Sequence, residues 1–206
     1  LMKQAPHVTV AICTYNRSSY LPELIEALRN QSCPIDFDIL FINNNSNDNT
    51  LDVLQEFAKQ PGVPIRVVTE PRQGIVHARN RAVEECLASD FILVMDDDEL
   101  PSPTWIAAAY SALKDGKADC VGGRVYVCFD RHPRPRWLGD ELLGFLAETD
   151  YGDQAFTVTD DSTPLWTANI AYNMRVFRGD SGLRFDARYN REGDGVGGGE
   201  FFVRET

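Results

Sequence analysis

The sequence predicts an α/β fold, with a doubly wound, mainly parallel central sheet followed by an irregular C-terminal half. Through the first half, short apolar runs rich in β-branched residues alternate with amphipathic stretches in the order β-α-β-α-β-α-β-α. The apolar runs are nearly continuous, as strands covered on both faces are. Polar clusters follow the first, second and fourth runs, at the strand ends where open parallel sheets bind ligands.

Residues 8–13 suit a buried first strand. Ser18 or Ser19 is expected to cap the next helix, in which Leu21, Leu24, Ile25 and Leu28 recur at i, i+3, i+4 and i+7 as one inward stripe. The second strand, 37–42, ends in the amide-rich run 43–50, whose short polar side chains favour turns and caps. Thr50 is expected to cap a helix carrying Leu51, Leu54 and Phe57, which Pro61 and Gly62 stop ahead of a third strand at 65–69. After Gly74 a helix places Ile75, Ala78, Ala82, Val83, Cys86 and Leu87 on one side. The fourth strand, 91–95, runs straight into Asp96, Asp97, Asp98 and Glu99; Ser102 and Pro103 then open a helix with Trp105, Ala109, Ala112 and Leu113 inward. A longer strand is expected over 120–129, and the remainder reads as loops rich in Gly, Pro and aromatic residues. No repeat or linker interrupts the chain, so one domain is expected over 1–206, with a front half at 8–100 and a back half at 101–206.

The 206 residues are 43% hydrophobic and 25% charged, the balance of a globular protein. Twenty Lys and Arg against 31 Asp and Glu give a net charge of −11, which repels nucleic acid and anionic headgroups and excludes a nucleic-acid partner held by charge. Five cysteines, an odd number without a C-x-x-C pair, suit a reducing cytoplasm. No apolar run approaches 18 residues, and the first residues are not a signal peptide. The expected location is therefore cytoplasmic, with peripheral association at the inner membrane face open through Arg131, Arg134 and Arg136. The amphipathic stretch 201–206 carries no stop signal, so the chain is expected to be truncated at its C-terminus.

Four consecutive acidic side chains rooted in a buried strand repel one another unless a cation neutralises them. Mg²⁺ or Mn²⁺ takes one or two carboxylates together with phosphate oxygens and water, so Asp96-x-Asp98 at a strand end suits a metal bridging protein and diphosphate, as in nucleotide-sugar binding. Neither G-x-G-x-x-G after the first strand nor G-x-x-x-x-G-K-[ST] is present, which disfavours NAD enzymes and P-loop NTPases.

Taken in order, Thr14-Tyr15-Asn16-Arg17, the run 43–50, Gly74 with Arg79 and Asn80, Asp96-x-Asp98, Trp166-Thr167-Ala168-Asn169 and Gly197-Gly198-Gly199-Glu200 resemble the family 2 glycosyltransferases over about residues 8–203. The bacterial exopolysaccharide branch, of the succinoglycan glucosyltransferase kind, looks nearest, partly through Val121-Gly122-Gly123-Arg124 and the Pro-Arg run ending at Trp137. The resemblance implies a GT-A type fold, a single α/β/α domain whose front half binds a nucleotide sugar and whose back half binds the acceptor and supplies the base. It implies inverting, metal-dependent transfer of a hexose, from a UDP-sugar, to a hydroxyl of a growing glycan or lipid-linked oligosaccharide. Thr14, Tyr15 and Asn16 would meet the nucleoside, with Tyr15 stacking on the base, and Asn44 would contact the base edge. Gly74 would let the backbone approach closely, and Arg79 would lie near base and phosphate. Asp96 would contact ribose or help hold metal, Asp98 would bind the metal directly, and Asp97 would line the donor site. Trp166, Thr167 and Asn169 would lie near the acceptor, and Glu200 would be the catalytic base, with Asp194 in reserve. Relatives commonly follow that Glu with Asp, whereas Phe201 stands here. A non-catalytic nucleotide-sugar or glycan-binding module of the same fold is the alternative.

Overall fold

Alternation at period two fixes both faces of the central sheet. The computed structural model describes residues 6–159, 163, 165–179 and 182–190, together with the backbone of 202–204. Its main sheet contains β1 (Val8–Thr14), β2 (Phe37–Asn43), β3 (Ile65–Thr69), β4 (Phe91–Met95), β5 (Cys120–Gly122) and β6 (Asn169–Asn173), in the order β3-β2-β1-β4-β6-β5. The β1–β2, β1–β4 and β2–β3 pairs are parallel, and β6 is antiparallel to both β4 and β5. A separate antiparallel pair joins β7 (Leu183–Phe185) to β8 (Phe202–Arg204).

Val8, Val10 and Ile12 of β1, Ile39 and Phe41 of β2, and Phe91, Leu93 and Met95 of β4 point to one core layer. There they meet Leu21, Leu24, Ile25 and Leu28 of α1 (Leu21–Arg29), Leu54 of α2 (Thr50–Ala58), and further helical residues. Ala11, Leu40, Ile42 and Ile92 point to the other layer, against Val76, Ala78, Ala82 and Val83 of α3 (Ile75–Glu85). Trp105, Ile106 and Leu113 of α4 (Trp105–Leu113) join the first layer. Each buried branched or aromatic side chain contributes about 1.5–3 kcal/mol, so sheet and helices are held mainly by these two apolar layers. The result is a three-layer α/β/α arrangement.

Several local expectations are corrected. Tyr20, not Ser18 or Ser19, occupies the N-cap of α1, and its side chain makes no capping bond. Asn49 occupies the N-cap of α2 without a capping bond, while Thr50 lies inside the helix and accepts from Arg17 N through its hydroxyl. Leu87 falls beyond the end of α3 and is exposed, because the helix stops at Glu85. Ala112 is exposed, and Ile106 fills the inward position instead. The strand expected over 120–129 is only three residues long; beyond Gly122 a single antiparallel bridge, Val125 to Thr149, continues the pairing. The back half also supplies β6, which lies directly beside β4. Its sequence, with alanine and asparagine among two large residues, carries weak strand propensity, and burial between neighbours overrides that. No helix among the described residues is long and apolar enough to cross a membrane.

Candidate active site

The order β3-β2-β1-β4 reverses direction at β1, so the carboxyl ends of β1 and β4 open a crevice between the loops that leave them. The loops after β1 and β2 are bonded to each other on one side of it. Asn44 N donates to Thr14 O at 2.9 Å, Asn16 N to Ser46 Oγ at 3.0 Å, Asn47 N to Asn16 Oδ1 at 2.9 Å, and Arg17 N to Thr50 Oγ1 at 2.9 Å. Asn16 and Asn45 both hold φ near +55°, at 53° and 59°, a left-handed conformation that asparagine tolerates better than most side chains. The amide run is therefore a brace between two loops, and it leaves the Tyr15 ring partly exposed while Thr14 is buried.

Asn44 is buried and uses its whole amide on the loop between β3 and α3. Its Nδ2 donates to Glu70 O at 3.2 Å and Arg72 O at 2.7 Å, and its Oδ1 accepts from Gly74 N at 2.8 Å. Glu70, also buried, closes the same loop by accepting from Arg72 Nε at 2.8 Å and Arg72 N at 3.0 Å, and the Arg72 guanidinium holds its carboxyl below the usual range. Asn44 therefore anchors the loop between β3 and α3. Gly74 takes φ 131° and ψ 145°, and a Cβ there would come within 2.2 Å of the Asn190 amide. Asn190 thus lies close against Gly74, and its Oδ1 also accepts from Val76 N at 3.1 Å. Nothing local in the sequence points to Asn190; its partner lies more than a hundred residues away.

Across the crevice, the acidic run divides into distinct environments. Asp96 and Asp98 are about half exposed, whereas Asp97 is buried. Burial, with the charges of Asp98 and Asp96, pushes the Asp97 carboxyl up to about 6 against the opposing Thr14 and Arg17. Glu99 is pushed up to about 8 by burial first and then by Asp96 and Asp98. Arg17 lies against the run, Nε 3.7 Å from Asp97 Oδ1 and Nη2 3.4 Å from Asp98 Oδ2, and its guanidinium sits 5.2 Å from the Tyr20 ring centre. Sequence reasoning placed Arg17 in the β1 motif without assigning it to the site. Arg79, projecting from α3, is buried; it donates to the Thr167 hydroxyl and lies 3.8 Å from Asp96 Oδ1. Behind it, burial pushes the Cys13 thiol up to about 12, so that thiol stays protonated and is no nucleophile at neutral pH.

The three residues expected near the acceptor separate. Trp166 is partly exposed. Thr167 is buried as the partner of Arg79. Asn169 accepts from Trp105 Nε1 at 2.7 Å and donates to Arg124 O at 2.8 Å, which ties α4, β6 and the segment after β5 together. Gly123 leaves room for that amide, since a Cβ there would lie 2.4 Å from Asn169 Nδ2. Arg131 pairs with Glu23 and stacks 4.4 Å from the Tyr20 ring centre, and Arg134 pairs with Asp140 at 2.7 Å, so two of the three basic residues read as a membrane cluster are neutralised within the chain. Glu200 and Asp194 lie outside the described residues.

Among the described residues no group of three or more His, Cys, Asp or Glu is arranged to hold a metal by protein ligands alone. The half-exposed, oxygen-only pair Asp96 and Asp98 nevertheless fits a hard divalent cation, which binds through one or two carboxylates and completes its shell with phosphate oxygens and water. Burial is the main cause that raises Asp97 and Glu99, and the neighbouring carboxylate charge that adds to it is what such a cation would relieve.

A family model described as glycosyl transferase family 2 matches residues 9–179. Among curated proteins, the chain is 28% identical over 102 residues to a putative glycosyltransferase EpsH of Bacillus subtilis (strain 168), covering 50% of this chain and 29% of that protein. It is 28% identical over 144 residues to a PGL/p-HBAD biosynthesis glycosyltransferase of Mycobacterium tuberculosis (strain ATCC 25177 / H37Ra), covering 68% of this chain and 55% of the relative. The chain thus spans about half or less of the length of these relatives. Among solved structures, it resembles a mannosyltransferase, PcManGT, from Pyrobaculum calidifontis in complex with GDP-Man and Mn²⁺, with a TM-score of 0.53 and 27% identity over 58% of this chain and 36% of that one.

Proposed function

This chain belongs to glycosyl transferase family 2, with a GT-A type fold, and from that premise we propose that it carries the donor site of an inverting, metal-dependent hexosyltransferase. The donor is a nucleotide sugar, read as a UDP-sugar, and the acceptor a hydroxyl of a growing glycan or lipid-linked oligosaccharide. The observation that carries this reading is the convergence, at the β1/β4 crevice, of the exposed Tyr15 ring, the buried Arg79 and the half-exposed Asp96 and Asp98. In this reading Tyr15 meets the base, Thr14 and Asn16 shape the loop beneath it, Asp97 lines the donor site, and Asn44 and Gly74 hold the loop that starts α3. Arg79 faces the diphosphate. Asp96 and Asp98 would hold Mg²⁺ or Mn²⁺, which supplies charge neutralisation for the leaving diphosphate when bound; the complex of the Pyrobaculum relative with GDP-Man and Mn²⁺ supports divalent metal use.

Transfer would be one in-line displacement: the acceptor oxygen forms its bond to the anomeric carbon as the bond to the diphosphate breaks, and the anomeric configuration inverts. Glu200 takes the acceptor hydroxyl proton, a role supported by the resemblance of Gly197-Gly198-Gly199-Glu200 to the family motif. Calorimetric titration of UDP and GDP, each with and without Mn²⁺, against the native chain and Asp98→Asn tests the donor site. Metal-dependent binding of one nucleotide, lost in Asp98→Asn, is expected. Binding of neither nucleotide by folded protein overturns the reading. Glu200→Gln should keep donor binding and stop transfer, and normal transfer by that variant removes Glu200 as the base.

A further inference from the structure

Large side chains left in water are informative when they gather beside ordered polar groups. After β5 the chain forms such a gathering. Arg124 Nε lies 3.0 Å from Asp150 Oδ1, its Nη2 donates to Asp153 Oδ1 at 2.5 Å, and its Nη1 donates to the Tyr126 hydroxyl at 3.3 Å. That hydroxyl donates in turn to Asp150 Oδ2 at 3.1 Å, and Asp150 Oδ1 also accepts from Gly152 N at 2.8 Å. The Val125–Thr149 bridge holds the two segments side by side. Around this network, Tyr126 is 60% exposed, Phe156 55% and Tyr151 45%, with the Tyr151 and Phe156 rings edge to face at 5.8 Å.

Among the described residues, this arrangement adds no ring to either buried core cluster. The rings contribute little burial where they stand, and surface ion pairs of this kind are worth only about 0–1 kcal/mol each. Its chemistry does match a pyranose. A sugar ring offers an apolar C–H face to an aromatic ring, and vicinal hydroxyls that both donate and accept beside it. Carboxylates fixed by a guanidinium accept from such hydroxyls in a pre-set geometry, so little ordering remains to be done on binding. Two carboxylates against one guanidinium leave the patch acidic on a chain of net charge −11, which disfavours an anionic membrane or a polyanion and suits a neutral oligosaccharide.

The placement fits the same ligand. Arg124 O is held by Asn169 Nδ2 at 2.8 Å, and Asn169 is the register partner of Met95, the residue before Asp96. Adjacent strands lie about 4.8 Å apart, so the patch is moored one strand away from the carboxylates of the donor site. We propose that Arg124, Tyr126, Asp150, Tyr151, Asp153 and Phe156 form a binding subsite for a neutral oligosaccharide, which holds the acceptor glycan beside the donor crevice. This rests on the glycosyltransferase reading for its purpose, although sugar binding by the patch is measurable without it.

The test is binding of the labelled chain to a printed array of oligosaccharides built from glucose, galactose, mannose, N-acetylglucosamine and glucuronate, with nucleotide titration run on the same preparations. The native chain should bind at least one class of neutral oligosaccharide. Tyr126→Ala should lose about tenfold or more in affinity through the missing ring, with nucleotide binding unchanged. Asp153→Asn, at a side chain 89% exposed, should weaken the same glycan signal. Absence of any array binding by the native chain overturns the subsite, as does glycan binding by both variants at the native level, or a preference confined to anionic glucuronate chains. Glycan binding without nucleotide binding would leave the subsite standing and remove the donor reading; nucleotide binding without glycan binding would do the reverse.

Discussion

Gly74→Ala is the sharpest structural perturbation available at the donor crevice. At φ 131° the backbone lies where only glycine rests without strain, and holding another residue there costs about 1–3 kcal/mol. The new Cβ would also meet the Asn190 amide at 2.2 Å and force it aside. That sacrifices the bond to Val76 N at 3.1 Å and weakens the one to Gln73 O at 3.4 Å, each worth about 0.5–1.5 kcal/mol net. Together these give a destabilisation of about 3 kcal/mol, and for a chain of this length a fall in Tm of roughly 6–12 °C. The assay is urea unfolding of the native chain, Gly74→Ala, Asn190→Ala and the double variant. In the Asn190→Ala background the clash is gone and only the backbone strain remains, so the second substitution should cost less there, leaving a coupling of about 1 kcal/mol or more. Additive costs across the cycle would refute the close approach, and an unchanged unfolding midpoint in Gly74→Ala would refute the strain as well.

Asn44→Asp should destabilise this chain by about 1–3 kcal/mol, because a carboxylate cannot donate to the Glu70 and Arg72 carbonyls that Nδ2 now serves; urea unfolding reads this, and native stability would show that the loop has another anchor. Glu99 and Asp97 make stability fall with rising pH. Their folded values, about 8 and about 6, stand above the ordinary 4.5 and 3.8, so the folded state holds more protons between each pair of values and loses stability as pH rises through them. Melting scans from pH 4 to 9 should therefore show a decline that Glu99→Gln flattens between about 4.5 and 8, and an unaltered profile in the variant would remove Glu99 as its source. Arg17→Gln removes a half-exposed counter-charge from Asp98, a pair worth about 0.2–1 kcal/mol, so Mn²⁺ should bind about 1.4- to 5-fold more tightly by calorimetry; weaker binding would mean that Arg17 assists the cation rather than competing with it.

The front half of the fold was legible because its information is local. Strand β1 carries its burial as a nearly continuous apolar run and helix α1 as periodicity, and Leu21, Leu24, Ile25 and Leu28 all lie in the apolar layer that this spacing implies. Polar loops at the ends of β1, β2 and β4 were readable as a shared edge, since a parallel sheet with intervening helices puts those ends together. The capping residues were misread because Ser18, Ser19 and Thr50 have the chemistry of caps, while the Thr50 hydroxyl is taken by a bond to the neighbouring loop.

What depends on distance along the chain was decided only by the tertiary structure. Asn44 reads as a residue facing a ligand, yet its amide is claimed by a loop about thirty residues on. Asn169 reads as part of an acceptor motif, yet it ties the Trp105 indole to the Arg124 carbonyl. Neither partner is visible in sequence, because a hydrogen bond between distant segments leaves no periodic trace. The placement of β6 beside β4 belongs to the same class: its pairing is driven by burial and backbone bonding to neighbours, not by the weak strand preference of its own residues. The sequence by itself determined the α/β frame, through nearly continuous apolar strand runs alternating with amphipathic helices. Folding then settled which polar residues hold the site in shape and which stay exposed to ligands, because a buried donor or acceptor is costly to leave without a partner.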